Sequence, residues 1–484
     1  MYYKFKYYTI FRNYGEIGYL IYQKSPFDVD RVVNKIGAAF LAELSYEPKS
    51  IEVLAQNVLK KFVNVTYDMI YSDMACFFET LVEEGFLESA NTFDECLKQN
   101  DIFSYSKNQI EQLKSIAYDN SGNRYSTQEY LEKFFSNNPK LLKFQVEITN
   151  VCNERCVHCY IPHNFKIYHM PKELFYKTLK EAYELGVVSF GISGGEPMAH
   201  PNFKEFIKSA KQYDMTITIL TNLTLLDDEA IEIFRESRVN IMVSLYSINE
   251  QHHDYITQLP GSCQMTKNAI KKLIENNIPV TINCPLMKEN KEDFIELSHW
   301  AKDNNLLVKT DYCIMARCDR STDNLEYRID LADMERITYE TIDENEMFKS
   351  LISADDYEEQ CKKILSGDDK KWCGVGVTCC SMDAHGNVIP CPSWEDYFCG
   401  NISNDSMKNI WHDAEKFKYL RTITRKDFKK CTECEDKAFC SLCMARNANE
   451  SVNKDPLDVI DYFCEITHIN RKNIERWRKE HLNS

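Results

Sequence analysis

No stretch of this 484-residue chain is apolar for long enough to cross a membrane. The first ten residues, Met1 to Ile10, mix charge with aromatics and lack a basic stretch followed by an apolar core, so no export signal is read and a cytoplasmic location is expected. Basic residues are in the minority: 58 Lys and Arg stand against 74 Asp and Glu, a formal net charge of −16. That balance excludes nucleic acid or an anionic membrane as the main partner, because no cationic excess is present to displace counterions.

Cysteine, by contrast, is abundant, at 20 residues. A reducing compartment disfavours disulfides, so metal binding is the better account of so many thiols. Apolar content of 44% and charged content of 27% are those of a soluble globular protein, and the length implies two to four domains.

Residues 1 to 90 read as a separate α+β unit. Strands are expected at Tyr2 to Phe11, Ile17 to Gln23 and Phe27 to Val33, and helices at Gly37 to Leu44, Ser50 to Phe62 and Tyr67 to Glu84. This is a winged-helix-like pattern with a strand edge. Residues 91 to 140 read as a helical linker broken at Ser121-Gly-Asn and Asn137-Asn-Pro. From 141 to 330, six apolar strands (Leu142 to Ile148, Val187 to Ile192, Thr216 to Leu220, Ile241 to Leu245, Val280 to Cys284, Leu307 to Tyr312) alternate with amphipathic helices. Such βα repeats predict an α/β fold, a parallel sheet with right-handed crossovers, closed or nearly closed as a partial (βα)6 barrel. Ligand loops then belong at the carboxyl ends of the strands. Beyond 330 the repeat gives way to a bridging segment and a cysteine-rich region ending at 484.

Cys152-x3-Cys156-x2-Cys159-Tyr160 follows the first barrel strand directly. Three thiolates on one loop can hold three corners of a cubane cluster and leave one iron open for chemistry. A zinc knuckle would need a fourth Cys or His, and His158 and His163 are near enough in sequence to serve. Gly191-Ile-Ser-Gly-Gly-Glu-Pro197 ends the second strand, where glycines permit close backbone approach and Glu196 offers an acceptor for an ammonium group.

Together these motifs resemble the radical S-adenosylmethionine (SAM) superfamily. The resemblance implies that Cys152, Cys156 and Cys159 hold a [4Fe-4S] cluster whose open iron binds SAM. It also implies that Gly194, Gly195 and Glu196 line the methionine amino group, that Tyr160 lies by the adenine, and that Asn222 and Ser244 touch the methionine or ribose end. A capping or turn role suits a Ser or Asn at a strand end equally well.

The C-terminal cysteines resemble a SPASM domain with two auxiliary [4Fe-4S] clusters, departing from the common pattern at Cys440-x2-Cys443. The family's interleaved order implies Cys373, Cys379, Cys391 and Cys443 for the first cluster, with Cys380 competing with Cys379, and Cys431, Cys434, Cys440 and Cys464 for the second. A zinc ribbon is the alternative for Cys431 to Cys443. The N-terminal unit resembles the PqqD-like precursor-recognition domain of peptide-modifying enzymes, which takes a leader peptide as an added strand.

The combined resemblance implies a maturase of a ribosomally made precursor with a leader and a Cys-containing core. Thioether crosslinks of the sactipeptide or ranthipeptide kind would form by way of a 5'-deoxyadenosyl radical, with an external donor such as flavodoxin or ferredoxin. Carbon-carbon or carbon-oxygen crosslinking, epimerisation and sulfatase-type maturation stay open within the same chemistry. A zinc-dependent DNA-binding protein is the alternative of another class. His252, His253, Asp254, Arg317, Asp319 and Arg320 could line a peptide site but read rather as solvated loop groups, and Cys313 and Cys318 as structural thiols in preference to relay thiols, so no residue is named as catalytic.

Overall fold

The computed structural model describes residues 1–24, 27–99, 103–106, 121–165, 167–365, 367, 369–394 and 396–482. Most of the middle of the expected linker, 100–102 and 107–120, lies outside them.

The six expected barrel strands are present as β7 (Lys143–Thr149), β8 (Ser189–Gly194), β9 (Thr216–Thr221), β10 (Val239–Ser244), β11 (Val280–Pro285) and β12 (Leu307–Asp311). They pair in parallel and in sequence order. Phe144, Val146, Phe190, Ile192, Ile217, Ile219, Ile241 and Ile282 are all buried, as strands covered on both faces require. Helices return on the outside. The one at Asp228–Arg235 starts where the Asp227 carboxylate accepts the Ala230 N–H at 2.9 Å, and it turns Ala230, Ile231, Ile233 and Phe234 inwards.

The sheet stays open. Among the described residues β12 ends it on one side, while β7 continues on the other into β13 (Cys379–Met382), β14 (Asn387–Ile389) and β15 (Gly400–Asn401), nine strands in all. The cysteine-rich region is therefore hydrogen-bonded into the barrel sheet and does not form a sheet of its own. A long helix, Asp461–His481, packs back on the bridging helix Leu331–Glu340.

In the N-terminal unit, the expected strand Tyr2 to Phe11 is two strands. β1 (Tyr2–Phe5) lies between β5 (Lys49–Ser50) and β6 (Leu87–Ala90), whereas β2 (Thr9–Asn13) joins β3 (Ile17–Lys24) and β4 (Phe27–Asn34) in a second sheet. The chain turns between them, closed by the Thr9 N–H donating to Lys6 O, a local bond that pattern reading does not reveal. Ser121-Gly-Asn opens the helix Ser121–Phe134 where a break was expected. The three helices at Lys35–Leu41, Ile51–Leu59 and Tyr67–Glu83 bury Leu41, Leu54, Val58, Met74, Phe78 and Leu81 in a core separate from that of the barrel.

This unit is bolted to the amino ends of the barrel strands. Arg12 and Arg238 both pair with Asp214, just before β9. The Tyr14 hydroxyl donates to Gly186 O at 2.8 Å before β8, and in the linker the Tyr105 hydroxyl accepts the Val280 N–H at 3.0 Å at the start of β11. No helix among the described residues is long and apolar enough to cross a membrane.

Candidate active site at the carboxyl ends of the barrel strands

The loop after β7 brings Cys152, Cys156 and Cys159 together on the face opposite the N-terminal unit. Arg155 and Val157 donate their backbone N–H groups to Thr257 O and Ile256 O, each at 2.9 Å, at the end of the helix Glu250–Thr257. Arg317 donates to Cys159 O at 2.8 Å and pairs with Asp323 at 2.9 Å. Arg317 is buried; reading it as a solvated loop residue was wrong, because its partner Cys159 lies 158 positions away in sequence and leaves no local signal. Around the thiols, the Glu154 N–H donates to Cys152 Sγ at 3.4 Å, Cys156 Sγ donates to Glu154 Oε2 at 3.3 Å, and the Tyr246 hydroxyl donates to Cys156 Sγ at 3.9 Å. Burial, then Glu154, then the two sister thiols push the Cys156 thiol well above its ordinary range. A cationic iron centre would reverse that balance, since a coordinating thiol is held as thiolate.

Gly194 and Gly195 approach this loop and not open space. A Cβ on Gly194, at φ +145°, would lie 2.1 Å from Thr149 O, and one on Gly195 would lie 2.5 Å from Val151 O. The Gly195 N–H donates to Thr149 O and the Glu196 N–H to Val151 O, so the two loops run backbone to backbone.

Glu196, expected to offer an acceptor for an ammonium group, is held by the neighbouring loops. It is fully buried; Oε1 accepts from the Thr221 hydroxyl at 2.7 Å and the Met198 N–H at 2.9 Å, and Oε2 from the Asn222 N–H at 2.7 Å. Burial raises its carboxyl to about 7 against those bonds. It therefore joins the loop after β8 to the loop after β9. Asn222 extends the chain of contacts, its Nδ2 donating to Asn153 Oδ1 at 3.1 Å inside the cysteine loop. The Tyr160 hydroxyl donates to Glu147 on β7 at 3.1 Å, and Ser244, at the end of β10, hydrogen-bonds Tyr246.

Among the groups set aside in the sequence, Asp254 caps the helix Ser262–Glu275, accepting from the Cys263 N–H at 2.9 Å, and His253 is buried, its Nδ1 accepting the Tyr246 N–H. Burial lowers His253 to about 4, which keeps it neutral. His252 pairs with Asp293, Arg320 with Asp396, and Asp319 accepts the Ser321 N–H. Cys318 is buried and its N–H donates to Tyr160 O, while Cys313 follows β12 near Arg446 and Asp311.

The C-terminal thiols sort into two groups. Burial and then Cys443, Cys373 and Cys379 raise Cys391; burial and then Cys373 raise Cys379 to about 12. Burial and then Cys440, Cys464 and Cys434 raise Cys431 to about 12. Cys380 alternates with Cys379 on β13 and lies with Met382 in the main core; burial, then Cys379, then Cys399 raise its thiol, against Arg421. Among the described residues no three Cys, His, Asp or Glu side chains close to the spacing of one metal ion. As clustered, buried soft donors the thiols fit iron-sulfur groups.

The barrel with this loop at its mouth and the cysteine-rich extension each match a known domain. Residues 146–301 match the radical SAM superfamily and residues 373–436 match SPASM, an iron-sulfur cluster-binding domain. The chain thus carries both domains, and with them a SAM-binding [4Fe-4S] site and auxiliary cluster sites.

Among its relatives is the antilisterial bacteriocin subtilosin biosynthesis protein AlbA of Bacillus subtilis, 25% identical over 378 residues, 76% of this chain and 81% of that one. The AdoMet-dependent heme synthase of Methanosarcina barkeri is 28% identical over 333 residues, 64% of this chain and 93% of that one. The crystal structure of Streptococcus suis SuiB bound to its precursor peptide SuiA superposes with a TM-score of 0.62 at 18% identity, covering 96% of this chain and 99% of that one. That likeness establishes a shared fold.

Proposed function

We propose that this protein is a peptide maturase that joins Cys sulfur to a carbon of another residue within a ribosomally made precursor. The observation that carries the reading is the sorting of the thiols into three groups in one molecule: one at the barrel mouth and two in the extension. Cys152, Cys156 and Cys159 would hold the SAM-binding cluster. Cys373, Cys379, Cys391 and Cys443 would hold one auxiliary cluster, and Cys431, Cys434, Cys440 and Cys464 the other. Cys379 is preferred to Cys380 because Cys380 faces the apolar core. Once bound, the cluster and SAM supply a carbon-centred radical able to take hydrogen from an unactivated carbon.

The chain's own residues prepare the site for that chemistry. Arg317 and the Thr257 and Ile256 carbonyls fix the cysteine loop. Glu196, Thr221, Asn222 and Asn153 lock three loops into one rim, so that side chains facing the cofactor are positioned before it binds. Tyr160, Ser244 and the Gly194-Gly195 backbone are the groups proposed to face SAM.

AlbA serves the biosynthesis of subtilosin, and SuiB was crystallised with a precursor peptide, both of which support a peptide substrate here. Residues 1–90 would bind the leader, 141–330 the cofactor, and 331–484 the auxiliary clusters, with a flavodoxin- or ferredoxin-type donor in the cytoplasm.

The test is anaerobic purification with iron and sulfide analysis, followed by incubation with SAM, a reductant and the precursor. Roughly three cubanes' worth of iron and loss of two hydrogens per crosslink are expected. Zinc without sulfide overturns the reading, and modification with no mass change replaces crosslinking by epimerisation.

A further inference from the structure

The N-terminal unit grips the amino ends of β8 to β10, and Tyr105 of the linker that of β11, whereas the cysteine loop lies beyond the carboxyl end of β7. A peptide held by that unit must travel the height of the barrel to be modified. The structure offers a route. Beside β12, the edge of the sheet, lies a cavity of about 1270 Å³ that runs from Asn305 before the strand through Val308 and Thr310 to Tyr312 beyond it. This exceeds the roughly 300–1,000 Å³ of a small-molecule pocket and suits a segment of several residues. One wall is the helix Ser121–Phe134, whose Leu131 packs with Ile10, Ile17 and Tyr19 of the N-terminal sheet, so that unit stands directly behind this wall. Another wall is Phe439 to Ser441, which includes Cys440.

The lining carries polar groups that protein does not satisfy. Asn473 is buried, and its Nδ2 donates to Glu335 O at 2.7 Å and to Thr338 Oγ1 at 2.6 Å, yet its Oδ1 has no partner. Trp372 Nε1 likewise has none, although Arg425 stacks 4.6 Å from its ring. Buried polar groups left unpaired are costly, and both atoms lie just beneath the cavity wall, where a shift of either side chain towards an occupant would give it a partner. An extended peptide brings both donors and acceptors, and an edge strand is the surface on which one docks by backbone pairing.

We infer that this slot is the path of the precursor peptide, which lies against β12 as an added strand between the N-terminal unit and the barrel mouth. The inference rests on the maturase reading and deepens it.

The probe is a fluorescein-labelled synthetic peptide with a leader and a Cys-containing core, its sequence taken from genes neighbouring this one, added to the cluster-loaded full chain. Ser298→Trp, on the helix facing the slot, should weaken binding at least tenfold while cofactor cleavage in the absence of peptide stays at the parent rate. Hydrogen exchange of the Leu307–Asp311 amides should slow at least tenfold when the peptide is added to the parent protein. If the parent binds and modifies the peptide but neither effect appears, the slot is refuted and the maturase reading stands. If the parent neither binds nor alters the peptide, that reading fails and the inference with it. Protection of the same amides that follows protein concentration instead of peptide would mark the slot as a contact between copies and overturn the proposal.

Discussion

The Tyr46 hydroxyl of the N-terminal unit donates to the carboxylate of Asp214 in the barrel at 2.7 Å, and Arg238 stacks on the Tyr46 ring while donating to the same oxygen at 2.7 Å. Arg12 reaches the other oxygen at 3.3 Å. Asp214→Ala should leave two guanidinium groups facing each other without their shared anion. The expected cost is about 1–2 kcal/mol, moderated because Asp214 is partly exposed. Thermal unfolding with limited proteolysis between residues 90 and 140 measures it, and an unchanged profile would show that the Asp214 cluster does not hold the two units together.

Gly194→Ala and Gly195→Ala each place a methyl group against a carbonyl oxygen of the cysteine loop. Both should separate the loops after β7 and β8. SAM binding, followed by calorimetry on the cluster-loaded protein, should fall at least tenfold, more for Gly194→Ala because its φ of +145° also excludes alanine.

Glu196 makes stability depend on pH. Its folded carboxyl, at about 7, binds a proton more tightly than in the unfolded chain, where the ordinary value is 4.5. Below about pH 4 it is protonated in both states and costs nothing. As pH rises towards 7 the unfolded chain loses its proton first, so the folded state loses stability, by about 3 kcal/mol at most. Glu196→Gln should flatten that slope in urea titrations at pH 5 and 7.5, and should be destabilised at both, since an amide donor then opposes the Asn222 N–H. A parallel slope in parent and variant would assign the pH dependence elsewhere.

Cys379→Ala and Cys380→Ala should behave differently although the residues are adjacent. The first should lower iron content by about one cluster's worth. The second should keep full iron and lose about 1–2 kcal/mol of stability through a small core cavity. Equal iron loss in both would show that the two thiols share the role.

Cys152, Cys156 and Cys159 replaced together by Ala should abolish cofactor cleavage and leave the auxiliary iron in place. Peptide binding, read by fluorescence anisotropy, should persist.

The barrel was legible because its strands are continuous apolar runs separated by amphipathic helices, and each of the six falls within two residues of the expected position. The cysteine loop and its Gly-Gly-Glu partner were legible because both are local. The role of Glu196 was not: its donors, Thr221 and Asn222, come from the next strand, and a buried carboxylate joining two loops has the same local sequence as one facing a ligand. Arg317 was missed for the same reason. The split of Tyr2 to Phe11 depended on a turn at Lys6 to Tyr8 that carries neither Gly nor Pro.

The register of β13 against β7 sets Cys379 opposite Lys143, six residues before Thr149 and nine before Cys152. Six residues of strand are about 20 Å. A single stretch of backbone thus acts as a ruler between the barrel mouth and the first of the two thiol groups, and no hinge interrupts it. A core peptide touching both ends at once needs about six extended residues between its contacts. For rings smaller than that, the two ends of the ruler act on the peptide in turn, or the far end serves it only as an acceptor of electrons.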